Sequence, residues 1–158
     1  MEESQLRLYG VMGYAWEDRV EQALLTLSQD SDWPFNAFRP GEVTAHGVAC
    51  SPDILMVPKN EDDEPFELSI KCKWKSTRGL PLTEEGEDEF PKSWAYEISQ
   101  CQTYALPLGT ARSVLFVYFV NGDYKPPMPK VHAWELQFSQ QEIAECWDAL
   151  LTIAADNR

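Results

Sequence analysis

Apolar and polar residues alternate most regularly at residues 66–75, and this pattern predicts a β-strand. Its apolar face would carry Phe66, Leu68 and Ile70, while its polar face would carry Glu67 and Ser69 followed by three lysines. Successive side chains of a strand point to opposite faces, so one face is expected in the core. The other face is expected to meet either water or a functional site.

Further strands are predicted on both sides of this one. Residues 111–120 form a nearly continuous apolar run, which is typical of a strand buried on both faces. Residues 131–138 alternate and predict a more peripheral strand. Short apolar runs within residues 43–57 predict additional strands, with a hairpin among them. The proline-containing residues 33–41 and the acidic residues 79–91 are predicted to be loops, the second one exposed.

Three segments have the three-and-four spacing of apolar residues that is typical of an amphipathic helix. The first covers residues 13–28. The second covers residues 91–106, with a proline in its first turn and Pro107 just past its end. The last follows Ser139, which forms a capping box with Glu142. The resulting order of helices and strands predicts one α/β domain over residues 1–158.

Composition and charge narrow the classes of function. The chain has 158 residues, of which 44% are hydrophobic, and no apolar run approaches the length of roughly 20 residues that crosses a bilayer. We therefore expect a cytoplasmic protein without membrane contact. The four cysteines form no C-x-x-C pair and are expected to be free thiols. The formal net charge of −13 means that any contact with nucleic acid must be local or assisted by metal ions.

An acid and a lysine fall on consecutive predicted strands. Asp53 follows Ser51 and Pro52, and Lys71 lies in the next strand. Phosphodiester cleavage requires divalent ions, which prefer carboxylate ligands, and a lysine can orient the nucleophile or stabilise the transition state. The alternatives are structural: Asp53 would cap a turn, and the polar row around Lys71 would be the wet side of an antiparallel sheet.

Four motifs in order resemble the PD-(D/E)XK nuclease superfamily. They are Gly13-Tyr-Ala-Trp-Glu17, Pro52-Asp53, a strand with Lys71, and Gln100-Cys-Gln-Thr-Tyr104. The last is similar to the Q-x-x-x-Y motif of the RecB-type and phage-exonuclease-like branch. The resemblance implies a restriction-endonuclease-like core, in which helices flank a central mixed sheet of four to five strands. It also implies a metal-dependent DNA nuclease that leaves a 5′-phosphate and a 3′-hydroxyl.

The resemblance also implies a role for each matching residue. Asp53 would be the central metal ligand and Lys71 the catalytic lysine. Glu17 would hold an ion or its water, and the backbone carbonyl of Ile70 would complete the ion's shell. Gln100 and Tyr104 would position the lysine and a phosphate of the nucleic acid.

One position departs from the family's pattern, because Ser69 stands where an acid is expected two residues before Lys71. A hydroxyl lacks the negative charge that attracts a divalent ion. Glu67 lies on the same strand face at a distance of about 6.6 Å along the strand and could act as a ligand after a rearrangement. Glu97, aligned with Gln100 on the second predicted helix, is the other candidate.

The only basic cluster of the sequence supplies three candidate nucleic-acid contacts, Lys73, Lys75 and Arg78, with an interleaved Trp74. Its structural alternative is a charged strand end that discourages aggregation. The expected cofactor is Mg²⁺ or Mn²⁺. No iron-sulfur cluster is expected, because the C-terminal cysteine triplet of the related CRISPR adaptation nucleases is missing.

The expected partner is DNA, either single-stranded or at duplex ends, in recombination, repair or phage DNA processing. A protein partner in a recombination or replication complex and an oligomeric state are both compatible with the resemblance. Two rival functions stay open. One is a catalytically inactive nuclease-fold domain that binds nucleic acid or a protein, and the other is an acidic interaction protein without nuclease ancestry.

Overall fold

The structure is a computed structural model that describes residues 3–73, 77–78, 80–87, 89–122 and 129–156, with only the backbone of residues 3–9. Three helices and seven strands are present in these ranges. In chain order they are α1 (Glu3–Leu27), β1 (Phe35–Phe38), β2 (Val43–Ala45), β3 (Val48–Cys50), β4 (Ile54–Pro58), β5 (Phe66–Lys73), α2 (Ala95–Leu108), β6 (Arg112–Phe119), β7 (Lys130–Gln137) and α3 (Gln140–Asp156).

Five of the strands form one mixed sheet in the order β1-β4-β5-β6-β7. The pair β5 and β6 is parallel, with α2 as the crossover between the two strands, and the other neighbours are antiparallel. The strands β2 and β3 form a separate antiparallel hairpin. The prediction of a mixed sheet of four to five strands flanked by helices is therefore confirmed.

Apolar side chains cover both faces of the sheet. On one face, Ile54 and Ile70 are fully buried, and Trp16 of α1 packs against their cluster. On the other face, Leu115 and Val117 are fully buried in a cluster that also contains residues of α2 and α3. The sheet is thus the middle layer of three. Strand β5 is buried on both faces over its first five residues. Strand β6 alternates between buried and partly exposed positions, so the burial on both faces predicted for residues 111–120 is complete on one face only.

The hairpin of β2 and β3 turns through His46 and Gly47, with φ values of 48° and 77°. Two consecutive residues with positive φ are the requirement of a type I′ turn, one of the tight two-residue hairpin turns, and glycine meets it without strain. A hairpin within residues 43–57 was predicted to enter the core through Ile54 to Val57. The observed hairpin ends at Cys50, and Ile54 to Val57 lie in β4 of the main sheet instead. Residues 74–76 and 79 lie outside the described residues, and so do the predictions for Trp74 and Lys75.

Two predicted boundaries near the N-terminus were wrong. The first helix begins at Glu3 and not at residue 13. The helix continues through Gly10 and Gly13, and three apolar side chains near them are exposed, so the periodicity gave no signal there. Residues 35–38, predicted as a loop between prolines, form β1, a short edge strand paired with β4. A strand of four residues is too short to show a clear alternation, and the prolines on either side of it favour a loop in the sequence pattern.

The second helix is also shifted. It begins at Ala95, because Pro91 accepts a hydrogen bond from the Trp94 N–H in a turn that precedes the helix. It ends at Leu108 with Pro107 inside it. Proline in a last turn costs one hydrogen bond without changing the helical φ. The terminator is Gly109, which has the left-handed φ of 68° at the helix end.

The last helix begins as predicted. The Ser139 N–H donates to a Glu142 carboxylate oxygen at 2.7 Å, and the Glu142 N–H donates to the Ser139 hydroxyl at 3.2 Å. This is the reciprocal arrangement of a capping box. None of the helices in the described ranges combines the length and the apolar character needed to span a bilayer.

Candidate functional site

Asp53 and Lys71 converge where β4 begins and β5 nears its end. Ile54 pairs with Leu68 across these antiparallel strands, so Asp53, one residue earlier, lies beside Ser69 in the middle of β5. The Oδ2 atom of Asp53 accepts a hydrogen bond from the Ile70 N–H at 2.8 Å. The Lys71 Nζ lies 3.7 Å from the same oxygen, and both side chains are partly exposed. A single bound phosphate or water can therefore reach both groups.

Glu17 approaches this pair from α1. A cavity of about 390 Å³, here named the acidic cavity, is lined by Glu17, Ser51 and Asp53 together with Asp18, Glu21 and Glu42. Burial raises the pKa of Glu17, the negative charge of Asp53 raises it further, and the positive charge of Lys71 partly offsets both effects. The two carboxylates therefore act on one another across the cavity.

Arg39 is the one basic residue in the lining of the acidic cavity. Its guanidinium is bonded to the Glu21 carboxylate and lies 3.8 Å from an oxygen of Asp18. No pattern in the sequence indicates this residue, because it lies in residues 33–41, which are predicted to be a loop, directly before Pro40. Only the pairing of β1 with β4 brings it to the acids of α1.

Glu67 and Ser69 are buried, so the polar face of β5 is not the wet side of a sheet at these positions. The Ser69 hydroxyl donates to a Glu67 carboxylate oxygen at 2.7 Å, and the Ser113 hydroxyl donates to the other oxygen. The Cys101 thiol donates to the Ser69 hydroxyl at 3.7 Å and covers it from α2. Burial raises the pKa of Glu67 to about 7 despite the two hydroxyl donors.

Ser113 and Cys101 were missed by sequence reasoning. Ser113 meets Glu67 because these residues are partners in the parallel register of β5 and β6. That register joins positions 46 residues apart, and no local pattern of the chain indicates it.

The metal ligands implied by the family resemblance are not gathered into a preformed cluster. Among the described residues, no group of three acidic, histidine or cysteine side chains is placed to hold an ion. Glu67 is directed to the two hydroxyls. Asp53 accepts a hydrogen bond from the Ile70 N–H, so it lies beside the residue whose backbone carbonyl the resemblance implies as a ligand. Of the implied ligands, Glu17 and Asp53 line the same cavity. Mg²⁺ is usually held by one or two carboxylates together with waters and substrate phosphate, so this pair fits a weakly held ion of that kind.

Gln100 and Tyr104 form a hydrogen-bonded pair on α2. The Gln100 Nε2 donates to the Tyr104 hydroxyl oxygen at 2.7 Å. Burial raises the pKa of Tyr104 to about 12; the hydrogen bond from Gln100 opposes this, and the charges of Asp53 and Glu67 add to it. The phenol therefore keeps its proton and can donate it in a hydrogen bond. Among the described residues, the buried Gln100 Oε1 has no hydrogen-bond partner.

Lys73 is paired with a carboxylate of the protein itself. Its ammonium is bonded to the Glu97 carboxylate and lies 4.9 Å from the centroid of the Trp94 ring. Burial acts to raise the pKa of Glu97, but the hydrogen bond from Lys73 and the charges of Lys73 and Lys71 outweigh it, and the pKa is lowered. Of the other two predicted nucleic-acid contacts, Arg78 is exposed and Lys75 lies outside the described residues.

Comparison with known proteins identifies the fold but no sequence family. No family model matches the chain, and no curated protein matches it. The crystal structure of an alkaline exonuclease (LHK-Exo) from Laribacter hongkongensis superposes with a TM-score of 0.59 at 18% identity, covering 94% of this chain and 68% of that one. Its complex with dAMP superposes with the same TM-score at 15% identity and with the same coverage.

A third solved structure, that of SSO0001, superposes with a TM-score of 0.52 at 13% identity and covers 91% of this chain. The chain spans 60% of the length of SSO0001. At such identities the likeness concerns the fold alone. The chain therefore has an α/β fold with a central mixed five-stranded sheet, of the restriction-endonuclease-like type found in a nuclease.

Proposed function

We propose that this chain is a metal-dependent deoxyribonuclease whose site is built on Asp53 and Lys71. The observation that carries the proposal is the distance of 3.7 Å between the Lys71 Nζ and the Asp53 Oδ2 at neighbouring strands of the sheet. The fold shared with an alkaline exonuclease supports it. An acid and a lysine in contact within a cleft are the pair that metal-assisted phosphodiester hydrolysis needs.

Asp53 and Glu17 are the residues that would hold Mg²⁺ or Mn²⁺ in this site. Both line the acidic cavity, and the charge of Asp53 already raises the pKa of Glu17. A cation between them would relieve this repulsion. When bound, such an ion lowers the pKa of a coordinated water and neutralises phosphate charge.

Lys71 would stabilise the negative charge that develops on the phosphate. Its ammonium is held by Asp53, which is itself fixed by the Ile70 N–H, so the cation is oriented before the substrate arrives. Tyr104 would donate its hydroxyl proton to a phosphate oxygen, because its pKa of about 12 keeps the phenol protonated. Gln100 positions Tyr104 through the hydrogen bond at 2.7 Å.

Glu67 and Glu97 remain the two candidates for the missing motif acid. Glu67 has a pKa of about 7, so near neutral pH its carboxyl group is only partly ionised. Its hydrogen-bond partners are the hydroxyls of Ser69 and Ser113. Glu97 is paired with Lys73. Either carboxylate would have to exchange its present partner for the ion. In this proposal Asp53 and Glu17 suffice for a weakly held ion.

The rival is a catalytically inactive domain of the same fold that binds nucleic acid or a protein. The buried hydroxyl of Ser69 at the motif position is the observation that favours it. The contact between Asp53 and Lys71 favours an active nuclease over the inactive domain, because binding alone does not require an acid and a lysine side by side in this cleft. DNA recombination, repair or phage DNA processing is the proposed setting.

Cleavage of linear DNA, with and without Mg²⁺ or Mn²⁺, tests the proposal. Asp53→Asn keeps one oxygen for the Ile70 N–H and removes the negative charge, and Lys71→Met keeps the length of the side chain. Each should lower the rate by about 10³-fold or more, since metal and transition-state charge stabilisation supply several kcal/mol. Matched controls are Asp62→Asn and Lys59→Met, beyond the opposite end of β4, which should cleave normally. Unchanged cleavage by Asp53→Asn would refute the site.

A further inference from the structure

A second cavity of about 400 Å³ lies between the β2–β3 hairpin and α2, and it is here named the hairpin groove. This volume falls within the range of about 300–1,000 Å³ that is usual for small-molecule sites. Its walls come from the hairpin, α2 and α3. The wall residues that matter below are Val48, Cys50, Tyr96, Gln100, Tyr104 and Leu150.

The hairpin groove adjoins the proposed catalytic site. Ser51 lines both the hairpin groove and the acidic cavity, and Asp53 follows two residues later. Tyr104 supplies a second connection, because it lines the groove and the negative charge of Asp53 raises its pKa. One nucleotide could therefore place its base in the groove and its phosphate at Asp53 and Lys71.

The two cavities differ in charge. Five carboxylates line the acidic cavity, whereas the residues that line the hairpin groove are all uncharged. In a chain with a net charge of −13, a polyanion meets less repulsion along an uncharged wall. The hairpin groove is thus the favoured side for a nucleic-acid strand to leave the site.

The walls of the groove suit a flat ligand with an apolar face and a polar edge. Val48, Cys50 and Leu150 are apolar, and the ring of Tyr96 is 76% exposed at the rim. The Oε1 atom of Gln100 is buried without a hydrogen-bond partner among the described residues. A buried acceptor without a donor is costly, so a ligand that supplies an N–H there gains affinity. Nucleobases combine a stacking face with N–H donors on one edge.

We propose that the hairpin groove receives the unpaired base of the nucleotide next to the phosphate at Asp53 and Lys71. Tyr96 stacks on the base, and Gln100 Oε1 accepts from an N–H of its Watson–Crick edge. A paired base has this edge occupied, so the preferred substrate is a single strand or a frayed duplex end. The inference rests on the proposed function, because that function places the phosphate.

Binding of a short single-stranded DNA in EDTA tests the groove without cleavage. Its affinity is compared with that of an abasic strand of equal length, which has the same phosphates and no bases. Tyr96→Ala should weaken binding of the normal strand about tenfold, within the effect of losing one stacked base. It should leave binding of the abasic strand unchanged. Tyr96→Phe keeps the ring and should restore the affinity.

Phe38→Ala is the matched control, because Phe38 is an aromatic residue that is 51% exposed at the end of β1 and lines neither cavity. It should not reproduce the effect of Tyr96→Ala. Equal affinity of wild type for both strands, or equal losses in Phe38→Ala and Tyr96→Ala, would overturn the base-binding groove and leave the cleavage results standing. Base binding that depends on Tyr96, in a protein that cleaves no DNA, would overturn only the proposed function.

Discussion

The Glu67 carboxyl lies in the protein interior with the hydroxyls of Ser69 and Ser113 as its partners. Burial raises its pKa from 4.5 to about 7. Between these values the folded protein holds a proton that the unfolded chain has released. The stability that Glu67 contributes is therefore fully present below about pH 4.5 and is lost as the pH rises through 7.

Glu67→Gln should remove this pH dependence. The free energy of unfolding of wild type, minus that of the variant, should fall by roughly 3 kcal/mol between pH 4.5 and 7, at about 1.36 kcal/mol per pKa unit. Denaturant unfolding over this pH range measures it. Glu61→Gln, in the exposed turn after β4, is the control and should leave the profile of wild type unchanged. A difference that stays constant with pH would contradict the buried, proton-binding role of Glu67.

Exchanging Glu67 and Ser69 tests the missing acid. The double variant Glu67→Ser/Ser69→Glu keeps one carboxylate and one hydroxyl on this strand face and moves the acid to the motif position beside Asp53. A second carboxylate ligand should tighten Mn²⁺ binding by about tenfold or more, as ligand charge does at other oxygen sites. Calorimetry measures the affinity, with Glu67→Ser as the control. A folded double variant that binds Mn²⁺ no more tightly than wild type would contradict a metal site at Asp53.

At the scale of single residues, the sequence predicted those contacts between site residues that follow from the order of the strands. Asp53 directly precedes β4 and Lys71 lies on β5, the next strand, so the contact between them could be predicted. The partners of Glu67 depend on the register of a parallel pair and on the seating of α2, which brings in Ser113 and Cys101. Such long-range registers leave no periodic signal in the chain.

At the scale of the elements, α2 closes over the end of β5 through Lys73 and Glu97. Glu97→Gln should leave Lys73 charged and free to bind a phosphate. The slope of log affinity against log salt for single-stranded DNA should then steepen by about 0.7, the value for one added phosphate contact. Binding titrations at several salt concentrations measure this slope.

Glu145→Gln on the exposed face of α3 removes the same charge without freeing a lysine, and it should not steepen the slope. Adding Lys73→Met to Glu97→Gln should return the slope to that of wild type. Equal slopes in Glu97→Gln and Glu145→Gln would show that Lys73 contacts no phosphate when released.

The elements themselves were predictable where a repeating pattern ran to a clear stop. The capping box at Ser139 gave the start of α3, and the alternation at residues 66–75 gave β5. The start of α1 and the strand β1 were missed, because exposed apolar residues and flanking prolines disturb the patterns there. Gly109, and not Pro107, ends α2, since termination depends on the left-handed conformation of the glycine.

At the scale of the whole molecule, the order of the elements indicated an α/β domain, and the family resemblance implied a mixed sheet flanked by helices. Neither indicated the distribution of charge. A net charge of −13 is a property of composition, and only the fold separates the carboxylates around Asp53 from the uncharged hairpin groove. Ser51 lies between these two surfaces, where an ion and a nucleotide would meet in the proposed function.

A calorimetric titration of the protein with Mn²⁺ tests the central claim most directly. Wild type and the control Asp62→Asn should bind the ion with equal affinity, because Asp62 lies in an exposed turn away from the site. Asp53→Asn should lose binding, since one of the two carboxylates that share the acidic cavity loses its charge. Absence of binding by wild type, or unchanged binding by Asp53→Asn, would contradict a metal-dependent site at Asp53 and Lys71.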